Sequence, residues 1–349
     1  MLLPQTYVVT LIVMIFGMLC LGSWANTFKM GGRWRFELYY FDFALGALVA
    51  AMLLAFTVGS TGFDGFSFTD DLMQAGKRQW FYAFLAGMIF NLANMLLTAA
   101  ISVAGMAVAF PIGIGSAVVV GSLLSLLLGH ESSPMFLLAG CVAILFAIVA
   151  DGIAYSSLGV LRHEALARAG KAKSTRRPSS LKAIVLALVS GLFMGSFAPL
   201  IQNSMEGDLA LGPYSISALF AMGVFFSSIA FNIFFINLPV EGEPVEMRDF
   251  FRARPKKHLL GWSGGALWAA GSTAILVAAS APAHANLGQP LTYQLTQAFA
   301  VIATLWGLLA WKEFSGSDGK VRFLSMVMVV LYVAGLVLIS LAQVYVRPA

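Results

Sequence analysis

Apolar runs long enough to cross a hydrocarbon core, about 20 residues each, recur from one end of this chain to the other. A backbone in lipid has no water to satisfy its polar groups, so such runs can only be helices or strands of a closed barrel. These runs are continuous rather than alternating, which selects helices. Of the 349 residues, 59% are hydrophobic and 11% are charged, where soluble domains carry about 25% charge. The chain therefore reads as an all-α polytopic membrane protein. Its net charge of +5 is no sign of nucleic-acid binding, because the basic residues sit between apolar runs.

Cutting at charged, Pro and Gly clusters gives ten transmembrane helices: 6–27, 39–59, 81–104, 106–128, 134–158, 181–203, 214–236, 258–281, 285–310 and 322–345. Spans 3/4 and 8/9 are joined by almost nothing, which makes each pair an antiparallel hairpin. The first five residues carry no positive charge, so the first run is expected to be a retained span and not a cleaved signal.

Basic residues concentrate in the loops after the odd-numbered spans. Lys29, Arg33 and Arg35 follow span 1, and Arg162, Arg168, Lys171, Lys173, Arg176, Arg177 and Lys182 follow span 5. Arg248, Arg252, Arg254, Lys256 and Lys257 follow span 7, and Lys312, Lys320 and Arg322 follow span 9. Only Lys77, Arg78 and Arg347 fall elsewhere. The positive-inside rule then makes the basic loops cytoplasmic and puts both termini outside a cytoplasmic (inner or plasma) membrane. Residues 162–182 form the longest polar linker and are expected to orient the chain. They separate an N-terminal five-helix half, 1–161, from a C-terminal half, 183–349.

The halves resemble each other. CLGSWANTFK, at the end of span 1, parallels FMGSFAPLIQ in span 6. LLLGHE, ending at Glu131, parallels LLAWKEF, whose glutamate is Glu313, and Pro111 and Pro290 fall near the same place in spans 4 and 9. Five spans per half is an odd number, so the second copy enters the membrane upside down. Two inverted five-helix repeats of this kind are a transporter architecture, with the solute site near the midplane.

Several stretches, in order and spacing, resemble the drug/metabolite transporter superfamily: LGSWA, YYFDFALGALVAA (39–51), GMIFNLANMLLTAAISVAGMAVAFPIGIG (87–115), FAPLIQNS (197–204) and ANLGQPLTYQLTQAFAVIATLWGLLAWKEF (285–314). Within it the chain is most similar to ureide permeases and next to glucose/ribose porters. The resemblance implies ten helices in two inverted halves and carriage of a small solute. Plant ureide permeases have a longer central loop with a Gly-Lys-Ser/Thr phosphate-binding signature. The loop here is short and GSDGK (316–320) lacks the spacing, so nucleotide regulation is not implied.

Polar residues inside the spans identify the candidate site. Asn91, Asn94, Thr98 and Ser102 form one stripe of span 3. Trp268 and Ser272 are one turn apart in span 8; Gln289, Tyr293 and Gln297 recur every four residues in span 9; and Trp24 and Asn26 lie near the end of span 1. A single Ser or Thr reads as interhelical glue, worth about 0.6–2 kcal/mol. Amides aligned at mid-span read as a solute site, because they donate and accept together and so suit an uncharged solute. Trp24 and Trp268 offer flat rings for stacking on a heterocycle or sugar face. Gly113, Gly115, Gly121, Gly191 and Gly195 are expected at close helix contacts.

The in-span acids, Asp42 and Asp151, are the candidates for proton coupling. No cofactor or metal is expected, since His130, His163, His258 and His284 have no zinc-ligand spacing and Cys20 and Cys141 lie inside apolar runs. No acid–base or nucleophile set converges, which argues against an enzyme. The expected function is secondary active transport of a small uncharged polar solute, a ureide such as allantoin or a nucleobase, by alternating access. A glucose/ribose-type sugar uptake porter and a drug or metabolite exporter are the alternatives. The expected partners are that solute, protons and the bilayer, with no nucleic acid; monomer and homodimer are equally compatible with the sequence.

Overall fold

The computed structural model describes residues 1–345 apart from 33, 63–65, 129–131, 170–180 and 241, and apart from the side chains at 289, 290, 293 and 294. Expectations resting on Arg33, His130, Glu131, Arg347, residues 170–180 or the side chains of Gln289, Pro290, Tyr293 and Gln294 lie outside the described residues. What is described is helical, with no strand. In chain order the helices are α1 (Tyr7–Ser23), α2 (Ala25–Met30), α3 (Phe36–Phe56), α4 (Phe68–Gln74), α5 (Lys77–Ala104), α6 (Met106–Leu127), α7 (Pro134–Arg168) and α8 (Leu181–Ser196). They continue as α9 (Ala198–Ser204), α10 (Pro213–Asn237), α11 (Met247–Phe251), α12 (Pro255–Ala279), α13 (Gln289–Gln297), α14 (Phe299–Leu305) and α15 (Gly319–Val344).

Among the described residues nine segments are long and apolar enough to cross a membrane: Tyr7–Met30, Phe36–Ser60, Lys77–Ala104, Met106–Leu127, Pro134–Arg168, Leu181–Ser204, Pro213–Asn237, Pro255–Ala279 and Gly319–Val344. The stretch expected to form the ninth span, 285–310, is not one long helix. It divides into α13, α14 and a π-helical turn over Trp306–Ala310, and its apolar helical part, Leu295–Ala310, is shorter than the nine spans. Helix α7 also runs past the expected end of span 5 to Arg168, so the first residues of the expected linker are helical.

Local sequence sets where the helices start. Pro134, Pro213 and Pro255 each occupy the first turn of a spanning helix, where the missing N–H costs nothing. Thr6 and Asp318 cap α1 and α15, accepting the N–H of Val9 at 3.3 Å and of Val321 at 2.9 Å. Two spans are interrupted. The α1–α2 break falls at Trp24 and the α8–α9 break at Phe197, the same position in the two resembling stretches CLGSWANTFK and FMGSFAPLIQ.

The chain packs as two compact units. The first comprises Met1–Met95 and Ser196–Phe299, the second Leu96–Gly195 and Ala300–Ala349. Each therefore draws on both halves of the sequence. In the first, α3 packs against α10 and α12, and α1 against α12. In the second, α7 packs along α15 and against α6. Helix α7 shows the division of faces: Leu137, Cys141, Ile144, Ile148 and Asp151 are buried, while Leu138, Val142, Leu145, Val149 and Ile153 are exposed. In a membrane that outer stripe meets acyl chains. Close approach depends on small residues, as expected for Gly191 and Gly195. A Cβ on Gly191 would lie 2.8 Å from Ser116 Cβ, and one on Gly195 would lie 2.7 Å from the Ala117 carbonyl oxygen.

Candidate functional site

Within the first unit, the helix period puts Asn91 and Asn94 on one side of α5, and packing supplies their partners. Asn91 is fully buried, and its Nδ2 donates to Ser227 Oγ on α10 at 2.8 Å. Ser227 Oγ donates in turn to the Gly223 carbonyl at 2.7 Å. Asn91 Oδ1 is buried with no hydrogen-bond partner. Asn94 is 2% exposed and donates from Nδ2 to Tyr40 Oη on α3 at 3.0 Å. A buried amide acceptor left unpaired costs about 1–3 kcal/mol, so Asn91 is a place where this packing holds polar capacity in reserve.

Around these amides lies an aromatic cluster. Trp268 stacks on Phe90, with ring centroids 4.8 Å apart, and on Phe220 at 5.8 Å. Phe43 lies 6.1 Å from Trp268, 5.0 Å from Trp24 and 5.0 Å from Tyr40, tilted to each. Phe197, the residue at the α8–α9 break, meets Phe90 edge-on at 5.5 Å. The two indoles expected to offer free faces are thus packed among other rings in this conformation, and a solute stacking on Trp268 would have to displace Phe90 or Phe220. Tyr40, Phe43, Phe90 and Ser227 were not singled out by sequence reasoning. The one available signal was Tyr40 two residues before an in-span acid.

The remaining expected site residues are more dispersed. Asn26 bonds back from Nδ2 to the Ser23 carbonyl at 3.0 Å, and Ser272 and Gln297 are half-buried. Beside Ser272, the buried Thr273 hydroxyl bonds Ser217 Oγ at 2.5 Å. Gln289 and Tyr293 contribute backbone to α13. Thr98 is fully buried and belongs to the second unit, so the stripe on α5 is shared out between the two units.

The in-span acids differ in kind. Asp42, 3% exposed, accepts or shares a proton with His258 Nδ1 on α12 at 2.8 Å. His258 is held edge-on against Phe250 and Trp34. Asp151, in the second unit, is fully buried and neither carboxyl oxygen has a hydrogen-bond partner. It lies within electrostatic reach of Glu313. Glu313 has a structural task the sequence did not reveal. Its carboxylate accepts the backbone N–H groups of Met106 at 3.0 Å and Ala107 at 2.7 Å, closing the start of α6. Among the described residues no group of three or more His, Cys, Asp or Glu side chains is placed to hold a metal.

With nine membrane-length helices among the described residues, this is a polytopic membrane protein. The profile of the family described as "Sugar transport protein" matches residues 13–344, and the chain belongs to that family. Two curated relatives from Arabidopsis thaliana are similar along nearly their whole length. Ureide permease 4 is 24% identical over 393 aligned positions, covering 93% of this chain and 95% of the relative. Ureide permease 1 is 23% identical over 377 positions, covering 92% and 93%. A solved chain described only as "Crystal structure of protein" superposes with a TM-score of 0.55 at 13% identity, covering 98% of this chain and 100% of its own, and shows a shared fold. The protein is a membrane transporter and not an enzyme.

Proposed function

We propose that this protein is a secondary active carrier for a small uncharged polar solute of the ureide or nucleobase kind, working by alternating access. The observation that carries the reading is the half-satisfied Asn91 amide, fully buried one helical turn from the buried Asn94. An amide that donates to Ser227 while its carbonyl stays unpaired is ready to accept one N–H from a planar solute that also stacks on an indole. The likeness to two ureide permeases favours the same solute class. A sugar is the second reading, favoured by the description of the family, since Asn and Trp equally suit hydroxyl groups and a ring face.

In this proposal the chain holds ten crossings in two inverted repeats of five, 1–161 and 183–349 with the linker 162–182 between them, and the divided α13–α14 segment serves as the tenth. The matched breaks at Trp24 and Phe197 support the repeat. The basic loops face the cytoplasm of the plasma or inner membrane, with both termini outside. Asp42 and Asp151 carry the coupling proton, being carboxyls inside the spans without an Arg or Lys partner among the described residues, unlike Glu37, which pairs with Arg35.

Thermal stabilisation of the purified protein against ureides, nucleobases and monosaccharides tests the substrate class. A shift with allantoin or uracil that Asn91→Ala abolishes supports the first reading. A shift confined to monosaccharides replaces it with the second.

A further inference from the structure

A recess lined by none of the residues of the amide and aromatic cluster lies in the first unit, where the starts of α3 and α12 meet the segment around α11. It is a cavity of about 620 Å³, within the range of small-ligand sites. Its polar wall carries Arg252, Arg254 and Lys257, and its apolar wall is Leu38 and Val245. Arg35 also lines it but is committed elsewhere: it pairs with Glu37 at 2.8 Å and donates to the Glu243 carbonyl at 2.9 Å. Among the described residues that line it, Asp249 is the one carboxylate, and its Oδ2 accepts the Glu246 backbone N–H at the start of α11. Three cations against one carboxylate leave a net charge of two.

A different kind of group points the same way. Trp34 lines the recess, is 5% exposed, and its indole N–H is buried with no acceptor among the described residues. Indole nitrogen can only donate, so the missing partner is an acceptor. Lys257 Nζ sits 4.5 Å above the same ring and would meet the same acceptor. The positive end of the 25-residue helix α12 adds to the attraction for negative charge. Position defines the rest. The recess opens at the first turns of two membrane-spanning helices, so its cations stand at the ends of the spans, where headgroups lie.

We propose that this recess binds a phosphate-bearing anion, and that its occupant in the membrane is the headgroup of an anionic glycerophospholipid. Phosphate supplies what the wall lacks: oxygens for the Trp34 N–H and two guanidinium forks, and charge for a site left with two positive charges in excess. The inference is independent of the solute proposed above.

The test is lipid retention by the full-length protein, purified from a mixture of phosphatidylglycerol and phosphatidylcholine and read by native mass spectrometry. The wild type is expected to keep phosphatidylglycerol over phosphatidylcholine by about tenfold, from roughly the attraction of one to two basic residues at an anionic surface. R252Q/R254Q, at two exposed positions, brings that ratio near one. R248Q/K256Q removes the same charge outside the recess and keeps the preference. W34F, with all charges intact, lowers it severalfold. Inorganic phosphate at millimolar concentration leaves the bound lipid in place; displacement by it would overturn the lipid as occupant and assign the site to a soluble phosphate. An unchanged ratio in R252Q/R254Q, or an equal loss in R248Q/K256Q, overturns the site itself.

Discussion

Glu313 Oε2 accepts the backbone N–H of Ala107 across 2.7 Å, so a side chain beyond the divided helix α14 closes the first turn of α6. Helix α6 begins at Gly105, which has no side chain to cap with and adopts φ 91°. Its free N–H groups need an acceptor from elsewhere, and a carboxylate is the one the helix dipole favours. Gly105 is also the residue that leaves room for it, because a Cβ there would lie 2.6 Å from a Glu313 carboxyl oxygen.

Glu313→Ala should therefore lower stability by about 1–3 kcal/mol, the cost of leaving helix-start donors unpaired. Glu313→Gln, which keeps one acceptor, should cost less. Gly105→Ala should cost at least as much as Glu313→Ala, since it both strains the backbone and displaces the carboxylate. Thermal unfolding of the detergent-purified variants measures all three; identical midpoints for wild type and Glu313→Ala would show that the contact does not hold α6.

Asn91→Ala and Asn94→Ala should weaken solute affinity by about 1–3 kcal/mol, the scale of losing a buried hydrogen-bond partner. Each also forfeits its bond to Ser227 or Tyr40, so a stability loss of about 1 kcal/mol or more accompanies it. Tyr40→Phe is the discriminating variant: it loses the bond to Asn94 but keeps both amides, and should retain affinity. Counterflow uptake into liposomes gives the affinities. Full affinity in both Asn variants, with stability reduced, would mean that these amides are only interhelical glue.

Asp42→Asn and Asp151→Asn should reduce solute accumulation driven by a pH gradient more than they reduce solute binding. The two sites separate the ways a carboxyl can be held. Asp42 has a histidine partner 2.8 Å away, and Asp151 has none. His258→Gln should accordingly mimic Asp42→Asn and leave Asp151 unaffected. Wild-type accumulation in both aspartate variants would rule out proton coupling through either group and leave facilitated diffusion as the better account.

A cysteine placed at Ser174 should resist an impermeant thiol reagent in intact cells and react after permeabilisation. Background is low because Cys20 and Cys141 are both buried. Labelling without permeabilisation would invert the proposed orientation of the basic loops.

The run of apolar segments alone determined that this chain is a helical membrane protein. Segment length and the cost of unpaired backbone in lipid are local properties, and each run carries its own evidence. The stripe of Asn91 and Asn94 was legible for the same reason, since a helical period places i and i+3 together without reference to any other helix. Their partners were not. Tyr40 and Ser227 lie 54 and 136 residues away in sequence, and Asp42 meets His258 across 216. Contacts of that range exist only once α3, α5, α10 and α12 have packed, and packing depends on which glycines let which helices close. The division of the stretch 285–310 was hidden as well, because Leu295–Ala310 is apolar on average and hydropathy does not register a change of helical pitch. There the Trp311 N–H reaches back to Trp306 and the Glu313 N–H to Gly307. The carboxylate of Glu313 can then reach α6, an arrangement fixed by three-dimensional fit and not by any pattern in the chain.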